Sequence, residues 1–297
     1  MTGAAGFIGQ HMVRYLRLQG VETLAVDRTA GMHKDSVDQV IDLAVPEVLE
    51  PFLGQDVAVF HLAGSADVRA SVNAPALDFS TNVIPVVHVL EAARRTGAAV
   101  LLPSTGSVYD SDAAMPLREE TPVRPSSPYA AAKAASEAYC FAYYRSYSLN
   151  VSIARMFSIY GPGMRRFAIH DFFMRLRNEP TALTVRGDGG QTRDYLYVED
   201  AVAALYRVMR YGTPGSAYNV ASGRPTSILE VARTVARAMG LAETKVMADG
   251  EAYSAELYHM EADVARLRAL GFQAAVNFEQ GVEETVRWLE VSRDPRV

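Results

Sequence analysis

Three glycines at three-residue intervals, Gly3, Gly6 and Gly9 in TGAAGFIG, constrain the fold more than any other feature of the chain. Glycine at this spacing allows a tight turn from strand into helix, a bare stretch of backbone open to close approach, and intimate contact between helix and sheet. The first turn of the next helix carries N–H groups without intrahelical partners, and these attract anions, a pyrophosphate in particular. Any strand-to-helix connection can carry such glycines, so the turn needs support from elsewhere. VETLAVD supplies it by ending in Asp27, about 20 residues on, where a dinucleotide-binding fold places the acid that accepts from the adenosine ribose hydroxyls. A carboxylate there repels a 2′-phosphate and favours NAD over NADP. Arg28 beside it pulls the other way, because a guanidinium pairs well with that phosphate.

Short apolar runs then alternate with longer helical stretches through residue 130, the rhythm of a parallel α/β sheet covered on both faces. The candidate strands are 21–27, 56–64 and 98–105, with helices over 9–20 and 82–97, each stopped by a glycine suited to a left-handed C-cap. An alanine-rich helix spans 127–147, and VSIARMFSIYG (151–161) reads as the next buried strand. Beyond about residue 160 the pattern becomes irregular, with amphipathic helices over 167–178, 199–210, 227–240 and 261–271. This predicts a dinucleotide-binding domain over 1–160, a segment about 192–215 returning to it, and a smaller substrate-binding lobe over most of 161–297.

One element is out of place. A dinucleotide-binding fold needs a strand before its first glycine turn, and only Met1 and Thr2 stand there. A first strand missing from the sheet would leave a gap of roughly 9 to 10 Å between its neighbours and two rows of unpaired backbone groups. Truncation of the start, or another segment filling the slot, is the expectation.

Composition narrows the partners. A formal charge of −5 with acids and bases interspersed gives no basic stripe, which argues against nucleic acid and anionic membranes. No apolar run approaches the ~18 to 20 residues a bilayer requires. Cys140 is the only cysteine, so no intramolecular disulfide can form and a cytoplasmic location fits. The six histidines lack ligand spacing, and no metal site is expected.

Tyr129 and Lys133 carry the chemistry. Four residues apart in SPYAAAKAASEAY, they share one helix face. An ammonium beside a phenol stabilises the phenolate and depresses a pKa that is ordinarily about 10. Tyr129 is therefore a candidate base near neutral pH.

With these residues the chain resembles the extended short-chain dehydrogenase/reductases, and within them the NAD-dependent sugar epimerase/dehydratase family. The resemblance is carried by TGAAGFIG (2–9), Asp42-Leu43, VFHLAG (59–64), Asn82-Val83, STGSVY (104–109), YAAAK (129–133), MFSIYGPG (156–163), GDGGQTRDYLYVED (187–200), YNVASG (218–223) and FEQGVEETVRWLE (278–290). It implies a doubly wound Rossmann domain carrying NAD and a C-terminal lobe holding a nucleotide-diphosphate sugar. By matching motif, Gly3, Gly6, Phe7, Ile8 and Gly9 would contact the pyrophosphate, Asp27 the adenosine ribose, Asp42 and Leu43 the adenine, and Leu62 and Ala63 the middle of the cofactor. Lys133 would bond the nicotinamide ribose as well as tune Tyr129. Thr105 would hold the reacting hydroxyl, with Ser158 and Arg193 toward the substrate diphosphate.

The family's 4,6-dehydratases place an Asp-Glu pair directly after the catalytic threonine, and its sugar-acid decarboxylases place a glutamate at the second of those positions. This chain has Gly106 and Ser107. The resemblance therefore implies a nucleotide-sugar 4-epimerase, with a 4-ketosugar reductase, a dehydratase or a non-catalytic NAD-binding sensor as the rival readings. Two departures bear on the substrate. Ser158 replaces an asparagine that reaches the phosphates in many members, and 248–263 lacks the arginine expected before the late aspartate. Arg165 or Arg166 would compensate, or the substrate is unusual; Tyr253 and Tyr258 are candidates for stacking on a base. Helices 82–97 and 127–147 match the pair through which the family dimerises, so a homodimer is expected.

Overall fold

The computed structural model describes residues 1–31, 37–251 and 258–292. In chain order its elements are α1 (Phe7–Leu18), β1 (Val26–Asp27), β2 (Gln39–Val40), β3 (Ala58–Phe60), α2 (Val68–Asn73), α3 (Pro75–Asn82), α4 (Ile84–Thr96), β4 (Ala99–Thr105), α5 (Pro128–Tyr147), β5 (Val151–Met156) and β6 (Ser158–Tyr160). Then come α6 (Phe167–Asn178), β7 (Ala182–Val185), β8 (Thr192–Tyr197), α7 (Val198–Tyr211), β9 (Ala217–Val220), β10 (Pro225–Ser227), α8 (Ile228–Ala238), β11 (Lys245–Ala248), α9 (Ala265–Ala269) and α10 (Phe278–Val291).

The main sheet is parallel. β3, β4, β5 and β9 form one ladder, and β1 pairs with β2. Thr2 joins the two, bridging Val26 on one side and His61 on the other. Its N–H donates to the Phe60 carbonyl at 3.0 Å, its carbonyl accepts from Leu62 N at 3.1 Å, and Val26 N donates to the Met1 carbonyl at 2.8 Å. The slot between β1 and β3 is thus filled at one level by Met1 and Thr2, which corrects the expected full gap. The predicted strand 21–27 forms only at Val26–Asp27, the level those residues reach.

Side chains alternate across each strand, so a central strand buries both faces. Leu101 of β4 and Ala154 of β5 pack with Met12 and Leu16 of α1 and with Ala201, Val202 and Leu205 of α7. Val100, Leu102, Val151 and Ile153 face the opposite layer, Val86, Val89 and Leu90 of α4 and Cys140 of α5. Each such large apolar side chain contributes about 1.5–3 kcal/mol on burial. The sheet is doubly wound, as its rhythm predicted.

Two local signals set the helices near the site. α4 stops at Gly97, which adopts φ +81° as a left-handed cap. α5 starts sharply because Ser127 accepts from Ala130 N at 3.3 Å and Pro128 occupies the first helical position. The apolar run 151–161, expected as one strand, is two: the chain leaves the main sheet at Phe157 and continues as β6 in a second sheet of order β10-β8-β6. β7 pairs with β11, and α6, α8 and α10 close a separate core around Phe173, Leu176, Val231 and Val286. The helix expected over 261–271 is limited to Ala265–Ala269.

Candidate active site

The site is assembled at the carboxyl ends of the parallel strands, where open α/β sheets bind ligands. The glycine turn lies against the end of β3. Gly3 adopts φ +72°, and a Cβ there would lie 2.5 Å from the Ala63 nitrogen and the Leu62 carbonyl carbon. A Cβ on Gly9 would lie 1.9 Å from the Gly3 oxygen, so the turn and the first helical turn touch backbone to backbone. Gly6, by contrast, is exposed and meets only the Gly3 oxygen, at 3.2 Å. It caps α1 without a side-chain hydrogen bond, and the first turn of α1 carries no acid. The N–H groups of Phe7, Ile8 and Gly9 stand in this uncapped turn, a setting that suits a pyrophosphate.

Asp27 reaches across to the same turn. Its Oδ2 accepts from Ala5 N at 3.0 Å and its Oδ1 from Thr29 N at 3.2 Å, while Arg28 is exposed beside it. Asp42 is exposed and accepts from Ala44 N at 2.9 Å. The Leu43 side chain is buried in the core beneath β1 and β3, and its carbonyl accepts from His88 Nδ1 at 2.8 Å. Its side chain is therefore not placed to face a ligand above the sheet.

Gly64, at φ +149°, links the end of β3 to α5: a Cβ there would lie 3.8 Å from Lys133 Nζ. Lys133 Nζ donates to the Pro103 carbonyl of β4 at 3.2 Å. Burial pushes its pKa down to about 8, opposed by the charges of Asp78 and Glu137, so the ammonium is still charged at neutral pH. Tyr129 is buried one turn earlier and its backbone N–H donates to Ser71 Oγ at 3.1 Å. Thr105 ends β4, and its Oγ1 accepts from Ser107 N at 3.2 Å. The threonine thus caps the strand end and keeps its O–H available to donate. Behind this group Glu137, one turn beyond Lys133, accepts from Ser104 Oγ and from Arg155, the shortest Arg155 contact being 2.7 Å. Arg155 and Glu137 are both nearly inaccessible, so α5 is pinned to β5 by a buried ion pair and to β4 by the Ser104 hydrogen bond.

The opposite wall comes from the second sheet. Ser158 opens β6, paired in register with Tyr195 of β8. Arg193, two residues before Tyr195, donates through Nη1 to the carbonyls of Thr192 at 2.7 Å and Tyr258 at 3.3 Å. The Tyr258 hydroxyl bonds Asp188. Arg165 and Arg166 sit over the rings of Trp288 and Phe167, at 5.2 and 4.8 Å from the centroids. Tyr253 lies outside the described residues. A separate cavity of about 1010 Å³, lined by Tyr195, Arg224, Arg268 and Phe278 among others, shares none of Thr105, Tyr129 and Lys133.

The sequence reading missed Ser71 and the Pro103 carbonyl, which accept from the Tyr129 N–H and from Lys133 Nζ, and Asp78, whose charge bears on Lys133. The one available signal was the i, i+4 pair Asp78 and Asn82 on a short helix opened by Pro75.

A doubly wound sheet, an uncapped glycine turn and a tyrosine–lysine helix abutting the strand ends define a dinucleotide-dependent enzyme of the extended short-chain type. The chain belongs to the NAD dependent epimerase/dehydratase family, whose description matches residues 1–221. It is 31% identical to a UDP-glucose 4-epimerase of Mycolicibacterium smegmatis, across 97% of both chains. It is also 29% identical to UDP-glucuronic acid decarboxylase 1 of Xenopus tropicalis, across 97% of this chain and 71% of that one. Among solved structures, the UDP-glucose 4-epimerase of Thermus thermophilus in complex with NAD superposes with a TM-score of 0.84 at 30% identity, across 98% of each chain. Among the described residues no helix is long and apolar enough to cross a membrane.

Proposed function

We propose that the protein is an NAD-dependent nucleotide-sugar 4-epimerase. The observation that carries this reading is the pair of residues directly after Thr105. Gly106 is buried, and a Cβ on it would meet Met260 Cε at 3.0 Å and the Phe157 ring at 3.1 Å, so the acid a dehydratase needs there has little room. Ser107 stands where a decarboxylase has its glutamate. The site then has one proton-transferring side chain, Tyr129, and epimerisation at one carbon needs no second.

The uncapped α1 turn with Gly3, Gly6, Phe7, Ile8 and Gly9, together with Asp27, Leu62 and Ala63, would hold NAD, and Asp42 with the Leu43 backbone would border its adenine. When bound, NAD supplies a reversible hydride acceptor. Tyr129, as phenolate, takes the proton of the C4 hydroxyl while C4 becomes a carbonyl, and returns the proton after the keto sugar has turned over in the cleft. Lys133 keeps the phenolate accessible by its positive charge, and the Thr105 hydroxyl donates to the sugar oxygen. Arg193, backed by Ser158, would pair with the diphosphate from the other wall. Residues 1–160 with the return at 192–215 would form the dinucleotide-binding domain, and most of 161–297 the substrate-binding lobe. Exposed Ala131, Ala138 and Ala142 lie along one stripe of α5, which would let a second copy approach closely and form a homodimer.

Incubation with NAD and a panel of UDP-, dTDP-, GDP- and CDP-sugars tests the reading. The expected result is an isomeric sugar with no net reduced cofactor. Reduction of 4-keto sugars with NADPH, in the absence of isomerisation, would favour the reductase that exposed Arg28 permits. Binding of NAD with no turnover of any sugar would favour a sensor.

A further inference from the structure

α3 carries Asp78 and Asn82 against the face of α5 that bears Lys133. Asn82 Nδ2 donates to Asp78 Oδ1 at 3.0 Å, and Asn82 Oδ1 accepts from Ser65 N at 2.9 Å. The Asn82 carbonyl accepts from Ser136 Oγ at 3.2 Å, tying α3 to α5. Asp78 Oδ2 makes no hydrogen bond, although Asp78 is only 6% exposed. Gly64 shows how near the lysine is: a Cβ there would lie 2.7 Å from Asn82 Oδ1 and 3.8 Å from Lys133 Nζ. A buried carboxylate oxygen without a donor is costly unless a cation faces it.

We propose that Asp78 is a positioning residue for Lys133, its uncommitted oxygen oriented by Asn82 and serving as the counter-charge that keeps the ammonium protonated and directed at Tyr129. The consequence for rate rests on the proposed role of Tyr129 and Lys133; the charge coupling does not. Four groups bear on the ammonium. The Pro103 carbonyl of β4 accepts its proton. Glu137 of α5 is committed to Arg155 and Ser104, which cancels most of its charge. His61, just past β3, is bonded to Thr2 through Nδ1 at 2.9 Å, and burial holds its pKa down to about 3, so it stays neutral. Asp78 on α3 is then the acid whose charge is not already matched by another cation. Burial raises its own pKa, and Asn82 and Lys133 draw it back.

The sign is fixed. An opposite charge favours the ammonium, so removing it lowers the Lys133 pKa below about 8. A neutral lysine no longer stabilises phenolate, so the acid limb of the pH–rate profile moves up while the alkaline limb moves down.

Lys34, Lys133 and Lys245 are the only lysines, so ¹³C-lysine labelling gives three Cε signals to titrate by NMR, with Lys133 assigned by its loss in Lys133→Met. In Asp78→Asn the Lys133 midpoint should fall by roughly one pH unit, a typical opposite-charge effect, while Lys245 does not move. Asp78→Glu should restore most of the shift, and the pH–rate window should narrow only in Asp78→Asn. An unchanged Lys133 midpoint in Asp78→Asn overturns the proposal. If that variant does not fold, Asn82→Ala, which releases the carboxylate, should lower the midpoint by a smaller amount, and no shift there overturns it equally. A shifted midpoint combined with full turnover by Tyr129→Phe would keep the coupling and discard the catalytic reading. An unmoved midpoint with an inactive Tyr129→Phe would do the reverse.

Discussion

On one wall of the cleft, backbone rests on backbone: Gly3 against Leu62 and Ala63, and Gly9 against Gly3, with no space for even a methyl group. On the other wall, Arg193 is steadied by two carbonyls, and Tyr258, which supplies one of them, is steadied by Asp188. The first arrangement tolerates almost no side-chain change; the second can be rebuilt one residue at a time. On the proposed reading, chemistry common to the family would belong on the first wall and choice of sugar on the second. Of the two departures from the family pattern, Ser158 falls on the second, on β6.

The largest effect expected is on the first wall. Tyr129→Phe removes the proposed proton-transferring side chain and should lower turnover by about 10²- to 10⁴-fold, with NAD affinity nearly unchanged by calorimetry. Retained turnover would mean that the fixed wall holds cofactor but not the reacting base. Next is Gly9→Ala. Its methyl group would lie 1.9 Å from the Gly3 oxygen, so the turn must open. A cost of about 1–3 kcal/mol, as for other overpacked sites, should appear in urea unfolding together with a loss of NAD binding. A variant as stable as the parent would show that this wall is not rigid.

Crossing to the second wall, Arg193→Ala should raise KM for the nucleotide sugar by about 10- to 100-fold, the range of a lost charge-assisted hydrogen bond of roughly 1.5–3 kcal/mol. Turnover at saturation should change little. A fall in kcat with KM unchanged would place Arg193 in the chemistry and blur the division between the walls.

The first wall was legible in the sequence because its causes are local. The glycines, the acid ending β1 and the pair Tyr129 and Lys133 lie within short windows whose spacing fixes their geometry, and Gly97 stops α4 at a positive φ as its position predicted. Other features depend on distant packing. The run 151–161 carries apolar residues on both sides of Phe157, so nothing local marks that residue as the point where the chain changes sheets. The charge of Asp78 bears on Lys133 only because α3 lies on α5. Charge in the GMRR loop predicts a reach of Arg165 or Arg166 toward a diphosphate, whereas both guanidiniums lie over aromatic rings.

The smallest effect separates the walls most finely. Tyr258→Phe removes a hydroxyl bonded to Asp188 in an exposed pair and leaves in place the Tyr258 carbonyl that accepts from Arg193. The Asp188 carboxyl is held below its usual range chiefly by that hydroxyl, so its pKa should rise in the variant, with the midpoint of its titration by NMR moving toward the ordinary value. Because the bond holds the 187–192 loop to the segment carrying Arg193's acceptor, its loss should raise KM a few-fold and leave both kcat and NAD affinity intact. A change in KM for one sugar and not another would locate the choice of substrate in this cross-loop contact. An equal change for every nucleotide sugar would assign the contact to the diphosphate, through Arg193, and leave sugar selection to residues nearer Thr105 and Ser158.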